Sequence, residues 1–320
     1  MDSELQQWVE MLQSDDVGDR LVAVKMLQHL GDEEALEPLI GAVPDENPGV
    51  QKLAITTLWE MANHQAVRPL IPCLGSPYED VRTEALGALK ELVIPDDLLI
   101  LLDALHQEDI NMQLNILVLL RKIHDVQALP YILPFFESET EELREAAVTT
   151  LRYLNQVTSC APALALMSDP SPVVRRETAL TIGYLQDEEV VSLLNQALSD
   201  EDWQVRRNAA QSIAILKPQS SVSPLSEAMK DEHWQVRKFV ARALQQVPDD
   251  SAIPVLVSSL ADEYSDVRRD AAIALGNIGN PSVLNSLKQT LDDPDADVRI
   301  FSQRAIDAIE GAQAAEVSNG

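Results

Sequence analysis

Small and apolar residues recur in this chain at helical spacing, in blocks that repeat every 31 residues. In the segment 266–279, DVRRDAAIALGNIG, one side of a helix carries Ala271, Ala274, Leu275 and Ile278. A glycine or proline then interrupts the pattern, and a shorter apolar segment follows, as at Ile253, Leu256 and Leu260 in the copy before. The pattern predicts an antiparallel pair of helices that is repeated along the chain.

An arginine marks the same phase of the block in eight of ten copies. The ten marks are Arg20, Gln51, Arg82, Gln113, Arg144, Arg175, Arg206, Arg237, Arg268 and Arg299. Neither helix of a copy can bury its apolar side alone, so neighbouring pairs have to stack. We therefore expect an all-α fold, an α-solenoid of about ten 31-residue helix pairs wound into a right-handed superhelical rod.

Nine of ten copies carry a good helix-capping residue six positions before the mark. These positions are Ser14, Asp45, Ser76, Gln107, Ser138, Asp169, Asp200, Asp231, Asp262 and Asp293. Serine and aspartate oxygens accept hydrogen bonds from the free N–H groups of a first helical turn. The sequence thus predicts that the first helix of each copy begins directly after this position.

The repeat leaves little room for a second domain. Residues 1–13 form a lone amphipathic segment with Leu5, Trp8, Val9 and Leu12 on one side, and we expect an N-terminal capping helix. A single solenoid is predicted over residues 1–310. Residues 311–320, GAQAAEVSNG, are small and polar and are expected to be a disordered tail.

Charge narrows the range of partners. The chain has 52 acidic and 24 basic residues, a formal net charge of −28, which opposes binding to nucleic acid or to anionic lipid. The first residues resemble no secretory signal, and no apolar stretch is long enough to span a bilayer. We expect a cytoplasmic protein that faces another protein; the sequence leaves its oligomeric state open.

The sequence predicts neither a metal site nor a reactive thiol. Cys73 and Cys160 stand where other copies carry apolar residues, so we expect buried thiols. The histidines fall in different copies and at different phases, and no pair lies three or four residues apart; they are His29, His64, His106, His124 and His233. A zinc or di-iron site needs several converging ligands, and none is predicted.

Four consecutive copies carry a second basic residue directly after the marker arginine. These residues are Arg176, Arg207, Lys238 and Arg269. The marker arginines are expected to pair with acids of a neighbouring layer and to fix the stacking. The second basic residues show no recurring acidic partner, and two interpretations stay open: a stripe that binds a partner, or additional structural pairs.

Two tryptophans stand at the same phase of adjacent copies. Trp203 lies in DEDWQVRR and Trp234 in DEHWQVRK, whereas other copies have proline, serine, alanine or glutamate there. Exposed indoles beside Arg207 and Lys238 would form a binding hot spot, because tryptophan and arginine dominate such sites. The alternative is that each indole covers the next loop, with cation–π support from the basic residue.

The two halves of the chain also differ. One position of the second helices changes from apolar to mixed along the chain: Ile40, Ile71, Leu102, Leu133 and Leu164, then Asn195, Ser226, Val257 and Lys288. This edge is interpreted either as a wider core or as a groove for a partner helix or a linear tetrapyrrole. The copies over 92–136 are rich in bulky aliphatic residues, and a thicker core, a dimer surface and a hinge all fit them.

The repeat resembles a known family. Residues 262–279 follow the pattern D-x4-VRxxAAxALGxIG, and Ala35 and Leu39 belong to an AxxPLxxxL segment. Both patterns are similar to HEAT-like repeats of the short type that is found in phycobilisome bilin lyases and their relatives. The resemblance covers residues 1–310. An iron enzyme built from similar repeats, deoxyhypusine hydroxylase, needs His-Glu dipeptides, and this sequence contains none.

Two functions follow as hypotheses. The first is a protein-binding scaffold or chaperone-like adaptor that uses its concave face and the aromatic and basic edge, in a phycobilisome-related or cofactor-assembly pathway. Its partner would be a protein, for example a phycobiliprotein or an assembly factor. The second, implied by the resemblance alone, is a bilin lyase or lyase subunit that attaches a tetrapyrrole to a phycobiliprotein cysteine. We favour the non-enzymatic role, without a cofactor unless a bilin is bound.

Overall fold

A computed structural model describes the backbone of residues 3–319 and the side chains of residues 4–314. All regular secondary structure in this part of the chain is helical. The chain divides into two compact units, Met1–Val157 and Thr158–Gly320. The helices of unit 1 are α1 Ser3–Met11, α2 Val17–Leu30, α3 Leu36–Ala42, α4 Pro48–Glu60, α5 Val67–Leu70, α6 Glu79–Leu92, α7 Leu98–Leu105, α8 Ile110–Ile123, α9 Leu129–Ile132 and α10 Glu141–Tyr153.

Unit 2 has the same alternation of longer and shorter helices. Its helices are α11 Ala161–Ala165, α12 Pro172–Ile182, α13 Val190–Ala197, α14 Trp203–Leu216, α15 Val222–Ala228, α16 Trp234–Gln246, α17 Ile253–Ser259, α18 Ser265–Ile278, α19 Leu284–Gln289 and α20 Ala296–Asn319. The predicted helix pairs are confirmed: an α-solenoid pattern in which a longer first helix packs on a shorter second helix and on the first helix of the next copy.

Local sequence explains where the first helices end. Gly31 and Gly279 follow α2 and α18 in the left-handed conformation, with φ of 61° and 74°. Glycine has no Cβ to oppose this conformation, and its N–H satisfies a carbonyl of the last turn. Most second helices open with a short 3-10 turn, and proline occupies a first-turn position in α9, α11 and α17, where its missing N–H costs nothing.

The predicted helix starts were two residues too early. The N-cap residues lie four positions before the mark, not six; they are Asp16, Asn47, Tyr78, Asp109, Thr140, Ser171, Asp202, His233 and Tyr264. The residues six before the mark instead close the turn in front of the helix. Asp200 Oδ1, for example, accepts a hydrogen bond from the Asp202 N–H at 2.9 Å. The aspartates at these positions also form ion pairs with marker arginines, as described below.

The N-terminal segment forms helix α1, and its function as a cap of the solenoid stays a prediction. Leu5 and Leu12 are buried, and α1 packs on α2. At the other end the backbone is helical to Asn319, past Gly311, although the sequence predicted a disordered tail over 311–320. The alanines of this segment favour helix, which accounts for the difference; Gly320 lies outside the described residues. The single array over 1–310 stays a prediction.

The bulky middle copies contribute to the core of unit 1. Leu101, Leu105, Ile116, Leu117 and Leu120 are almost completely buried. The apolar edge of the second helices is largely core as well, because Ile71, Leu102 and Leu164 are buried and Ile40 and Leu133 are half-buried. These positions support the wider core over a groove formed by that edge.

Candidate functional site

The marker arginines link consecutive copies. In unit 2, the guanidinium of Arg206 donates through Nε and Nη2 to the carboxylate of Asp231 at 2.5 and 3.0 Å, and through Nη1 to the Asp200 carbonyl at 2.8 Å. The same bonds recur in four consecutive copies, in the pairs Arg175–Asp200, Arg206–Asp231, Arg237–Asp262 and Arg268–Asp293. We call this series the arginine ladder. It confirms the expectation that the first arginine fixes the stacking.

The ladder is incomplete in unit 1. Arg20 pairs with Asp45 at 2.7 and 3.0 Å. At the next marks the partners change: Gln51 faces the position of Ser76, Arg82 that of Gln107 and Gln113 that of Ser138. Arg82 keeps only the carbonyl bond, from Nη1 to the Ser76 oxygen at 2.7 Å, among the contacts found for it in the described chain.

The second basic residues have partners that the sequence did not reveal. Arg176 binds the carboxylate of Asp202 at 2.6 and 2.9 Å, and Lys238 binds Asp266 at 2.6 Å. Arg269 contacts Asp266 at 2.8 Å and Asp270 at 3.1 Å. Three of the four residues thus have acidic partners, but these lie at different offsets, in the next copy or in the same helix, so no single partner position recurs in the repeat.

Arg207 differs from the other three. Its Nε and Nη2 donate to Asn208 Oδ1 at 3.0 and 2.9 Å, and no carboxylate within ion-pair distance is found for it among the described residues. Its guanidinium carbon lies 5.6 Å from the ring centre of Trp203 and 6.0 Å from that of Phe239. Arg207 is thus held between two aromatic rings while its positive charge stays uncompensated by a direct ion pair.

Both tryptophans are half-buried and stack on the next copy. The Trp203 ring lies parallel to His233, with centres 5.3 Å apart and planes 5° apart. Trp234 stacks on Tyr264 at 5.0 Å and 14°, and Lys238 Nζ lies 5.7 Å from its ring centre. The indoles therefore cover the next loop, as one of the two interpretations predicted, and each keeps a solvent-exposed fraction.

These side chains form one continuous surface along α14 and α16. We call it the aromatic–basic surface and define it as Trp203, Arg207, His233, Trp234, Lys238 and Phe239. A groove of about 660 Å3 adjoins it, lined by Phe239, Ile215, Arg242 and Phe301 among others. Ile215 is 43% exposed. Of the six site residues predicted from sequence, Arg207, Trp203, Trp234 and Lys238 lie on this surface, and Lys238 is also paired with Asp266. Arg176 and Arg269 are engaged in carboxylate pairs and are not part of it.

Sequence reasoning missed His233, Tyr264 and Phe239. The first two occupy the N-cap position of α16 and α18, where aspartate, asparagine, serine or threonine stands in most other copies. An aromatic ring at a capping position was the available signal, but it depended on the correct helix start. Phe239 directly follows Lys238 and could not be assigned to this surface without the contact to Arg207.

Hydrogen bonds from basic residues lower the pKa of two aspartates near this surface. The Arg176 guanidinium holds the pKa of Asp202 below its usual value, with smaller help from backbone N–H groups, and Lys238 does the same for Asp266. Burial raises the pKa of Cys73 to about 11, so this thiol stays protonated, and burial also raises the pKa of Cys160. The arrangement offers rings and fixed charges, which suit recognition.

The described residues contain no group of three or more histidine, cysteine, aspartate or glutamate side chains placed to hold a metal ion. No helix among them combines the length and apolar character that a membrane span requires.

Comparison with protein families finds one matching family model, described as HEAT repeats. It matches residues 5–90, 161–233 and 222–307, more than half of the chain. A comparison with curated proteins finds no significant match.

Comparison with solved structures finds similar folds at low identity. An engineered protein is 19% identical with a TM-score of 0.55, over 96% of this chain and 99% of its own. Kap95p, in a structure that describes its binding to RanGDP, is 14% identical with a TM-score of 0.61, and importin beta is 14% identical with a TM-score of 0.62. The match covers 95% of this chain in both cases and 50% of the other chain, so this chain spans half their length. These similarities concern the fold alone.

Proposed function

Because this chain belongs to the HEAT-repeat family, we propose that it is a protein-binding scaffold or chaperone-like adaptor that holds its partner on the aromatic–basic surface of unit 2. HEAT solenoids are typical of protein-interaction scaffolds, since stacked copies present long surfaces with few reactive groups. The partner would be a phycobiliprotein or a cofactor-assembly factor, as the sequence resemblance implies. The fold is similar to that of Kap95p, which binds RanGDP, and this similarity supports a protein-binding function.

One observation carries the proposal. Arg207 is fixed between Trp203 and Phe239 and has no carboxylate partner among the described residues, on a chain whose net charge is −28. Aromatic side chains and arginine are the residues that contribute most at protein interfaces, because rigid rings bury a large area and the guanidinium binds carboxylates in two-point fashion. A preformed cation on an aromatic platform therefore suits a partner that carries an acidic group beside an apolar one.

The proposal predicts that the double variant Trp203→Ala and Trp234→Ala captures less partner than the wild type, by about tenfold or more. The measurement is affinity capture from an extract of the native cells, with the captured protein quantified by mass spectrometry. The variant also loses two ring stacks, each worth about 0.5–1.5 kcal/mol. We expect its helical circular dichroism to be unchanged and its unfolding temperature to fall by a few degrees only.

The matched control is Trp59→Ala, which removes an indole that is 42% exposed in unit 1 and outside the aromatic–basic surface. It should leave partner capture at the wild-type level. Equal capture by the double variant and by the wild type would contradict the proposal. A phycobiliprotein in the wild-type eluate would support the pathway that the resemblance implies.

The bilin lyase alternative rests on the sequence resemblance alone. The matching family model describes HEAT repeats in general. Mixing the purified protein with a bilin and recording the visible spectrum tests it. An unchanged absorbance would argue against this alternative.

A further inference from the structure

One of the three interruptions of the ladder in unit 1 lies between Gln113 and Ser138, and a groove lies at this place. Gln113 stands at a marker position, and Ser138 stands where the ladder has aspartate. The turn around Ser138 nevertheless keeps the usual geometry, because Arg144 Nη1 donates to the Ser138 carbonyl at 2.7 Å, as Arg237 Nη1 donates to the Asp231 carbonyl at 2.8 Å. The groove therefore lies on an ordinary interface between copies that lacks its ion pair.

Aromatic and aliphatic side chains line this groove, which we call the middle groove. Its volume is about 590 Å3, and its walls include Leu105, Tyr131, Pro134 and Phe135. Tyr131 is 39% exposed, and His106 meets its ring edge-on, with centres 5.5 Å apart and planes 88° apart. His106 Nδ1 lies 2.7 Å from the Leu102 carbonyl oxygen, which holds the imidazole ring in place. The rings are thus prearranged and open to solvent.

An equivalent groove 93 residues further along the chain shows that stacking does not require this apolar lining. That groove in unit 2 has about 650 Å3. The positions of Tyr131, Pro134 and Phe135 are occupied there by Pro224, Glu227 and Ala228. The copy in unit 2 folds with the same helix pair although a charged and a small residue replace the apolar ones. The lining of the middle groove therefore needs another explanation, and an occupant provides one.

The surroundings of the middle groove are strongly acidic. Residues 103–110 contain three acidic residues, and residues 130–142 contain four; neither segment contains lysine or arginine. The adjacent Arg144 donates to the Ser138 and Glu139 carbonyls, and the acidic residues outnumber the basic ones around the groove. Asp103, Glu108, Glu137 and Glu139 flank the lining residues in sequence and are exposed. An apolar groove with an acidic rim attracts a ligand that combines an apolar group with positive charge. A linear tetrapyrrole, which carries carboxylates, would be repelled.

We propose that the middle groove binds a basic peptide segment of a protein partner, with one bulky apolar side chain in the groove and lysine or arginine side chains against the acidic rim. This second surface extends the proposed scaffold function to unit 1, but it uses none of the residues of the aromatic–basic surface. The missing ion pair leaves the wall of the groove neutral at this point. An arginine at position 113 and an aspartate at position 138 would instead place a bidentate ion pair beside Phe135, in the wall that the apolar side chain of the peptide contacts.

The test begins with a selection from a random peptide library displayed on phage, with the full chain as bait. We expect the enriched peptides to combine one phenylalanine, leucine or methionine with flanking lysine or arginine. A synthetic, fluorescein-labelled copy of the most enriched peptide then serves as the probe in fluorescence polarisation. Its binding should weaken as salt is added, because the rim charges are exposed and screened.

The decisive variant completes the ladder by the double substitution Gln113→Arg and Ser138→Asp. The repeat geometry accommodates this pair in five other places, so we expect the variant to unfold at the same or a higher temperature. Binding of the probe should fall by about tenfold or more. The matched control, Glu227→Ala, alters the equivalent groove of unit 2 and should leave binding unchanged.

Three outcomes would overturn the proposal: enriched peptides without the basic and apolar combination, no enrichment at all, or equal probe binding by the completed-ladder variant. The double variant Trp203→Ala and Trp234→Ala separates the two sites. It should bind the probe as the wild type does, whether or not the aromatic–basic surface captures a partner.

Discussion

At the scale of the residue, the arginine ladder explains why arginine rather than lysine marks the repeat. Each complete rung uses Nε and Nη2 on one carboxylate and Nη1 on a carbonyl of its own turn. An ammonium group cannot hold this planar, two-sided geometry. The side chains of Arg206 and Asp231 are 12% and 7% exposed, so the pair is screened less than a surface ion pair.

Acid should weaken the ion pair between Arg206 and Asp231. Burial alone would raise the pKa of Asp231, but hydrogen bonds from Arg206 and the His233 N–H outweigh it and hold the pKa below its usual value. The unfolded chain therefore binds this proton more readily than the folded chain does. The Arg206–Asp231 pair contributes fully to the free energy of unfolding above the ordinary aspartate pKa of about 3.9, and this contribution is lost as the pH falls below that value. Asp293, held by Arg268, behaves in the same way.

The variant Asp231→Asn tests this account. At neutral pH we expect it to lower the free energy of unfolding by about 2 kcal/mol, because the Arg206 charge loses its carboxylate. Urea unfolding at several pH values between about 7 and about 3 should show a smaller loss of stability for the variant than for the wild type. Parallel curves for the two proteins would show that Asp231 does not contribute to the acid dependence.

At the scale of the element, close helix contacts depend on single small residues. A Cβ on Gly276 in α18 would lie 2.8 Å from Ala305 Cβ and 3.1 Å from Ala305 Cα in α20. Gly87 in α6 is also helical, but a Cβ there would meet nothing within 4 Å. The two glycines therefore have opposite consequences for helix packing.

We expect Gly276→Ala to lower the free energy of unfolding by about 1–3 kcal/mol, because α18 and α20 must move apart. Gly87→Ala should raise it by about 0.5–1 kcal/mol, since alanine favours helix and no contact opposes it. Chemical denaturation of both variants measures the difference. A stabilising effect of alanine at position 276 would contradict the contact between the two helices.

The existence of the helix pairs could be predicted from the sequence, but the exact helix starts and the ion pairs could not. Apolar periodicity and the marker arginines revealed the helix pairs, because the same physical requirement recurs in each copy. Asp200 and Asp202 are both capable caps, so composition could not show which one begins α14. The pairs Arg176–Asp202 and Lys238–Asp266 span different distances along the chain, and no single repeat phase reveals both.

At the scale of the whole molecule, the two units differ in how completely their copies form the arginine–aspartate pairs of the ladder. Unit 2 has four consecutive complete rungs and carries the aromatic–basic surface. Unit 1 lacks the arginine–aspartate pair at three of its marker positions and carries the middle groove. Features common to the copies hold the fold together, and features that only one or two copies possess remain available for partners.

Hydrogen exchange of the captured complex tests the central claim most directly. The N-cap His233 provides no side-chain hydrogen bond to the first turn of α16, so the amides of Trp234 and Gln235 should exchange rapidly in the free protein. If the partner lies on the aromatic–basic surface, mass spectrometry should show slower exchange in peptides that cover residues 203–207 and 233–239. Protection elsewhere, with unchanged exchange in these two segments, would contradict the account.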